Sequence, residues 1–192
     1  MAPERQRLFF ALWPDAALQA RCGGLAAEVL GGAGRRIPAE KLHLTLSFLG
    51  SVDAPARACL EGGAETVRAA PFTLTLDRLG HFPRPQVLWL GTEAPPPELL
   101  HLVEQLRQVQ RGCALEPERR RFQAHLTLAR KVRRRPRLGE VERVTWPVTD
   151  FALVASQTLP SGARYEVVAR WPLNGAHSSA AAAPGPATPG VE

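Results

Sequence analysis

The sequence predicts an α+β protein assembled from two imperfect copies of one strand-and-helix unit. Three observations carry the prediction. Strand-like and helix-like segments alternate along most of the chain. The tetrapeptide His-Leu-Thr-Leu occurs twice, at 43–46 and 125–128, and a helix-like segment precedes each copy. With 192 residues, 45% of them hydrophobic, the chain has the length and composition for one substantial domain or two small units sharing a core.

Arg5 to Trp13 (RQRLFFALW) is a short apolar run closed by Pro14, and it suits a central strand buried on both faces. Asp15 can cap a helix, in which Leu18, Cys22, Leu25 and Val29 recur at helical spacing until Gly31, Gly32 and Gly34 stop it. After the loop Arg35 to Lys41 comes the first His-Thr strand, ending at Gly50. Residues 54–69 favour a second helix, although Gly62-Gly63 weakens it by roughly 1 kcal/mol per glycine. Alternation marks Phe72 to Leu76 as a half-buried strand and Val87 to Leu90 as another. The stretch between them, Leu79 to Pro85, reads as a turn-rich connection with His81 a loop residue. After Pro95-Pro96-Pro97, a helix carries Leu99, Leu102, Val103, Leu106 and Val109 on one face, with His101 off it. Phe122 to Ala129 is the second His-Thr strand. The basic loop Arg130 to Arg137 follows, and Thr149 to Leu159 and Arg164 to Leu173 read as two late strands.

From Asn174 the chain turns to Ala, Pro, Gly and Ser without periodicity. The expected organisation is therefore a domain over 1–173 and a disordered tail over 174–192.

No apolar run approaches the roughly 20 residues of a membrane span, and Leu8 to Trp13 is shorter than a secretory core and lacks a cleavage site. A soluble, cytoplasmic, monomeric protein is expected. Cys22, Cys59 and Cys113 are odd in number, widely spaced and set in helix-like contexts, so they read as reduced thiols.

Strand alternation puts His43 and Thr45 on one face, with Leu42, Leu44, Leu46 and Phe48 on the other. In the second copy it puts Gln123, His125 and Thr127 on one face, with Phe122, Ala124, Leu126 and Leu128 opposite. A single strand histidine is more often structural than chemical; two in matched contexts reverse that expectation. If the halves meet about a pseudo-twofold axis, two imidazoles and two hydroxyls converge. Imidazole titrates near pH ~6.5, so one of the pair can serve as base and the other as acid, while the threonine hydroxyls donate to phosphate oxygens. That set suits phosphodiester cleavage without a metal or other cofactor. Neither histidine has a second His, Cys, Asp or Glu at ligand spacing, and no Gly-x-Ser-x-Gly elbow surrounds Ser156 or Ser161.

These residues resemble the two-histidine phosphoesterases, and within them the RNA 2′,3′-cyclic phosphodiesterases, also called 2′-5′ RNA ligases (LigT-like). The resemblance rests on RLFFALWP, KLHLTLSFLG and RFQAHLTLAR, and on Leu159, Gly162, Tyr165 and Trp171-Pro172-Leu173 in order. It implies a bilobal α+β fold with two pseudo-symmetric lobes, each holding an antiparallel sheet and helices around a central cleft. It also implies hydrolysis of RNA 2′,3′-cyclic phosphate ends to 2′-phosphates, and hence RNA ends or small nucleotides bearing a cyclic phosphate as partners. Residue by residue, it makes His43 and His125 the catalytic pair, the first as acid and the second as base. Thr45 and Thr127 become phosphate ligands.

Arg130 matches a phosphate-binding position of the same family, yet strict alternation sets it opposite His125, so the role requires the strand to end or bulge near Ala129. Phe48 falls on the apolar face, which favours core packing over base stacking. Ala124 departs from the proline that many relatives carry there. The rivals are ligation to a 2′-5′ linkage, action on small cyclic phosphates, and a binding module without turnover.

The net charge is +6, and arginine supplies 22 of the 24 basic residues. A coding bias towards Arg, Ala, Gly and Pro explains the overall excess. Around the second motif, Arg119 to Arg121 and Arg130 to Arg137 form two basic clusters that read equally well as an RNA guide or as a solvated loop.

Overall fold

A computed structural model describes residues 5–175 except Arg137, Glu140 and Ser161, so most of the expected tail lies outside the described residues. Ten strands and three helices follow one another as β1 Gln6–Leu12, α1 Ala16–Leu30, β2 Arg35–Arg36, β3 Leu44–Val52, α2 Ala54–Glu65, β4 Phe72–Leu76, β5 Arg78–Phe82, β6 Val87–Gly91, α3 Pro97–Gly112, β7 His125–Arg130, β8 Val144–Val148, β9 Asp150–Leu159 and β10 Gly162–Pro172. A 3-10 turn, Ala39–Lys41, leads into β3.

The local signals act as their chemistry dictates. The Asp15 carboxylate accepts from the Leu18 amide and Asp53 from that of Ala56, capping α1 and α2, and Gly31 ends α1 in the left-handed region. Leu99, Leu102, Val103 and Leu106 form the buried face of α3.

The α+β class with antiparallel sheets is as expected; the division into two sheets is not. Eight strands form one sheet in the order β10-β9-β1-β3-β7-β6-β5, with β2 added on β7, while β4 and β8 make a separate pair. β3 and β7 join at a single register pair, Leu44 opposite Leu126, and β2 adds Arg35 opposite Arg130 and Arg36 opposite Ala129. The main core lies on one face, where Leu8, Phe10, Leu12, Leu44, Leu90, Leu126 and Phe151 meet the helices. A second cluster of Phe9, Ala11, Ala152 and Val154 occupies the other face, so β1 is buried on both sides.

Three further readings need correction. His81 belongs to strand β5, and a ring nitrogen lies 2.8 Å from the Val132 carbonyl oxygen; the Gly and Pro content around it hid a hairpin arm. β8 is a strand the sequence does not signal, because Pro147 interrupts it, a position tolerated in a strand with one free edge. Cys59 and Cys113 form a disulfide, leaving Cys22 free and buried. The pairing joins α2 to the end of α3 and is set by how those helices pack, for which 54 residues of separation give no local signal.

Candidate active site

Antiparallel pairing of Leu44 with Leu126, continued one residue each way, sets Thr127 opposite His43 and Thr45 opposite His125. Directly opposed side chains lie about 5 Å apart and diagonal ones about 7–8 Å, so the register at the junction alone gathers both histidines and both threonines on one face. All four are partly buried.

The two imidazoles are held identically. His43 Nδ1 lies 2.8 Å from the Lys41 carbonyl oxygen, and His125 Nδ1 lies 2.8 Å from that of Gln123. A carbonyl can only accept, so each Nδ1 carries the proton and donates it. In the neutral rings Nε2 is then the basic nitrogen. On the His43 side the buried Gln19 amide donates to the carbonyls of Glu40 and Leu42, 3.3 Å each, on either side of Lys41.

Burial depresses both histidines below the usual imidazole range. His43 is pushed down to about 4, chiefly by desolvation; the Lys41 carbonyl opposes this, and the Arg130 and His125 charges add to it. His125 is lowered as well, by desolvation first, against the Gln123 carbonyl and with Arg120 and Arg130 adding to it. Near neutrality both rings are uncharged in the free protein. A bound anion would oppose these effects and favour a proton on whichever ring it touches.

Aromatic rings fix the imidazoles from the sides. Trp13 stacks on His43 with centroids 5.2 Å apart and planes 2° apart, while Phe9 and Tyr165 each lie 4.9 Å away. Phe82 and Trp89 meet His125 edge-on at 5.3 and 6.0 Å. Trp89 lies across its cross-strand neighbour Gly80, where a Cβ would collide with the indole. Tyr165 is among the residues that carry the family resemblance, but none of these five aromatics is assigned to the site by the sequence. Phe9 in β1 and Trp13 just beyond its end share one parity, the signal that could have found them. Trp89 Nε1 is buried without a protein partner.

Two bulges reverse the parity expected after each threonine. Along β1, Ala11 pairs with Thr45 but Phe10 with Ser47, so Leu46 is the extra residue. Leu46 and Ser47 are consequently both buried, and Phe48 emerges on the histidine face, 49% exposed and 6.1 Å from Phe9. The assignment of Phe48 to the core is overturned. Along β6, Trp89 pairs with Thr127 but Leu88 with Ala129, making Leu128 the extra residue. Leu128 and Ala129 are buried and Arg130 is exposed, on the histidine face, where its charge acts on both imidazoles. The condition that alternation placed on Arg130 is thus met. Bulges beside active sites commonly re-aim a side chain in this way. Here the equivalent bulges present a phenyl ring in one half and a guanidinium in the other.

The site is a neutral, aromatic-walled pair of bases with two threonines on the same face and Arg130 at the side. It can take a proton at one Nε2, deliver one from the other, and bind an anion between them. Among the described residues no group of three or more His, Cys, Asp or Glu side chains is placed to hold a metal ion. No described helix is long and apolar enough to cross a membrane.

Comparison with known proteins points the same way. Residues 14–158 match the sequence model of the 2′-5′ RNA ligase superfamily. An RNA 2′,3′-cyclic phosphodiesterase of Escherichia coli (strain K12) is 36% identical over 180 residues, covering 88% of this chain and 98% of the relative. A Thermus thermophilus protein of the same name is 34% identical over 186 residues, 89% of this chain and 92% of the relative. The crystal structure of E. coli LigT complexed with 3′-AMP superposes with a TM-score of 0.81 at 35% identity, covering 88% of this chain and 99% of that one.

Proposed function

This chain belongs to the 2′-5′ RNA ligase superfamily, and from that premise we propose that it hydrolyses RNA 2′,3′-cyclic phosphate ends to 2′-phosphates without a metal. The observation that carries the reading is the matched pair of Nδ1-to-carbonyl hydrogen bonds, which leaves two Nε2 atoms as the exchangeable proton sites on one face. The cyclic phosphate sits between them, its non-bridging oxygens accepting from Thr45, Thr127 and Arg130. The anion raises the proton affinity of the histidine beside the ribose 3′ oxygen, and that Nε2 becomes protonated on binding. The other Nε2 takes a proton from water as the water oxygen bonds to phosphorus. The bond from phosphorus to O3′ breaks, and the protonated Nε2 delivers its proton to O3′. One water is consumed, and a 2′-phosphate beside a free 3′-hydroxyl is released.

By family resemblance His43 is the acid and His125 the base. The threonine hydroxyls and the guanidinium stabilise charge that grows on the equatorial oxygens, the task for which fixed donors are most effective. The family's name supports a second reading, in which a ribose 5′-hydroxyl replaces water and a 2′-5′ linkage forms at the same site.

The test is an assay on an oligoribonucleotide with a 2′,3′-cyclic phosphate end, run with chelator and read for the position of the product phosphate. A 2′-phosphate is expected, with at least 100-fold loss in His43→Ala and in His125→Ala, on the order of what one acid or base contributes. Full activity in either variant overturns the two-histidine mechanism. Binding without turnover by the wild type would make the protein a binding module.

A further inference from the structure

The turn that leads into β3 has each of its backbone carbonyls matched to a donor. The Pro38 carbonyl accepts from the Lys41 amide at 2.9 Å and that of Ala39 from the Leu42 amide at 3.0 Å, the bonds of the 3-10 turn itself. The Lys41 carbonyl accepts from His43 Nδ1. The Glu40 and Leu42 carbonyls, on either side of it, both accept from Gln19 Nε2 of α1, at 3.3 Å each. A primary amide has two N–H donors. Gln19 therefore spends both on the carbonyls that flank the one holding the histidine.

Gln19 shares the buried stripe of α1 with Leu18, Cys22, Ala26 and Leu30, where an apolar side chain would satisfy packing alone. Burying an amide costs free energy unless its hydrogen bonds are made. One turn further along the helix, Gly23 lies so close to the 3-10 turn that an added Cβ would touch the Ala39 side chain at 3.4 Å. The same turn is tied to β7, through the Ile37 amide and the Leu128 carbonyl at 2.8 Å. The second histidine has no counterpart to this brace. Its carbonyl belongs to Gln123, in a segment without regular structure, and among the described residues no side chain donates to the flanking carbonyls of Phe122 and Ala124.

We propose that Gln19 is a positioning residue for His43: through the Glu40 and Leu42 carbonyls it fixes the Lys41 carbonyl, and through that carbonyl the plane and tautomer of the ring. The inference rests on the proposed function for its effect on turnover, and it gives α1 a part in the chemistry. The lever is short. The three carbonyls belong to consecutive peptide units, each rigid and planar, so releasing the outer two frees the middle one to turn. A turned Lys41 carbonyl no longer aligns with the Nδ1–H, and hydrogen bonds weaken steeply off line. The ring then loses its fixed plane and its preference for a proton on Nδ1, which is what leaves Nε2 free to face the phosphate.

The experiment compares the wild type with Gln19→Met, which keeps the volume and removes both donors, and with Gln19→Glu, which keeps the outline and sets a carboxylate against the two carbonyls. Should the buried carboxylate unfold the second variant, the first decides alone. Heteronuclear NMR of the imidazole nitrogens near neutrality, without substrate, reads which nitrogen of each histidine carries the proton, and His125 serves as the internal control. Both rings of the wild type are expected in the Nδ1–H form, and the variants are expected to gain an Nε2–H population at His43 alone. On a nucleoside 2′,3′-cyclic phosphate, kcat should fall about 10- to 100-fold, the scale on which loss of an outer support or a misplaced group acts. KM should stay nearly unchanged, because Thr45, Thr127 and Arg130 are left in place. His43 shifts that match the wild type, or shifts that change equally at His43 and His125, overturn the proposal, as does an unchanged kcat beside an altered tautomer. An altered His43 tautomer in a protein whose wild type turns over no cyclic phosphate would uphold the positioning and overturn the hydrolase reading.

Discussion

His43 and His125 show how one contact can serve two purposes. The bond from Nδ1 to a carbonyl two residues earlier fixes ring orientation and tautomer together, while burial keeps the ring neutral until an anion arrives. Both pKa values lie below about 6.5, the value of a free imidazole. The singly protonated pair that the mechanism needs therefore grows in the free protein as pH falls below neutrality. The alkaline limb of kcat/KM, which reports the free enzyme, is accordingly expected below pH 6.5 and belongs to the pair as a unit. A limb centred above pH 7.5 would contradict the buried, neutral resting state. Stability moves in step. A histidine whose folded pKa is depressed binds fewer protons folded than unfolded between its two pKa values, so its contribution is complete above about 6.5 and is lost as pH falls towards about 4. His43→Asn should flatten the decline in urea midpoint over that window.

At the scale of the element, the two bulged strands decided what the sequence could and could not disclose. The histidine and threonine faces were legible because His43 to Thr45 and His125 to Thr127 precede the extra residues Leu46 and Leu128, where period-two reasoning still holds. Alternation alone misplaces Phe48 and leaves Arg130 conditional, because a bulge is set by cross-strand register, which composition does not encode. The aromatic walls were likewise hidden, since β1 reads as uniformly apolar. The first bulge also turns a polar side chain, Ser47, into the interior. Ser47 Oγ donates to Gln110 Oε1 at 2.7 Å, and the Gln110 amide donates to the Phe48 carbonyl at 2.9 Å. Both side chains are buried, so replacing Gln110 with Leu leaves a buried hydroxyl and carbonyl unmatched and should cost about 1–3 kcal/mol. The flipped parity predicts a contrast. Phe10→Ala empties the core and should cost about 3–5 kcal/mol, whereas Phe48→Ala, half exposed on the opposite face, should cost under about 1 kcal/mol. Equal losses in denaturant unfolding would return Phe48 to the core.

At the scale of the whole molecule, β3 and β7 share one sheet but meet through a single register pair, Leu44 with Leu126, supplemented by the two-residue strand β2 on β7, so the packing behind that seam must keep the histidines in register. Helices α2 and α3 supply part of it. They approach closely at Gly63, where a Cβ would come within 2.5 Å of Val109, and the Cys59–Cys113 disulfide joins them beside that contact. The bridge closes a loop spanning β4, β5 and β6 along with most of both helices. Cross-linking across 54 residues restricts the unfolded chain by about 4 kcal/mol in the chain-entropy picture, with measured effects commonly nearer 2–4. Cys59→Ala should therefore lower the urea midpoint relative to the oxidised protein, and reductant should lower the wild type to nearly the same value while leaving the variant unmoved. Thiol titration offers an independent check. Cys22 is buried, and its thiol is pushed up to about 11 by desolvation, so the folded protein should react slowly. Unfolded without reductant, it should release one thiol rather than three. Three thiols under those conditions would show that α2 and α3 are held by packing alone, and reductant would then leave the midpoint where it was.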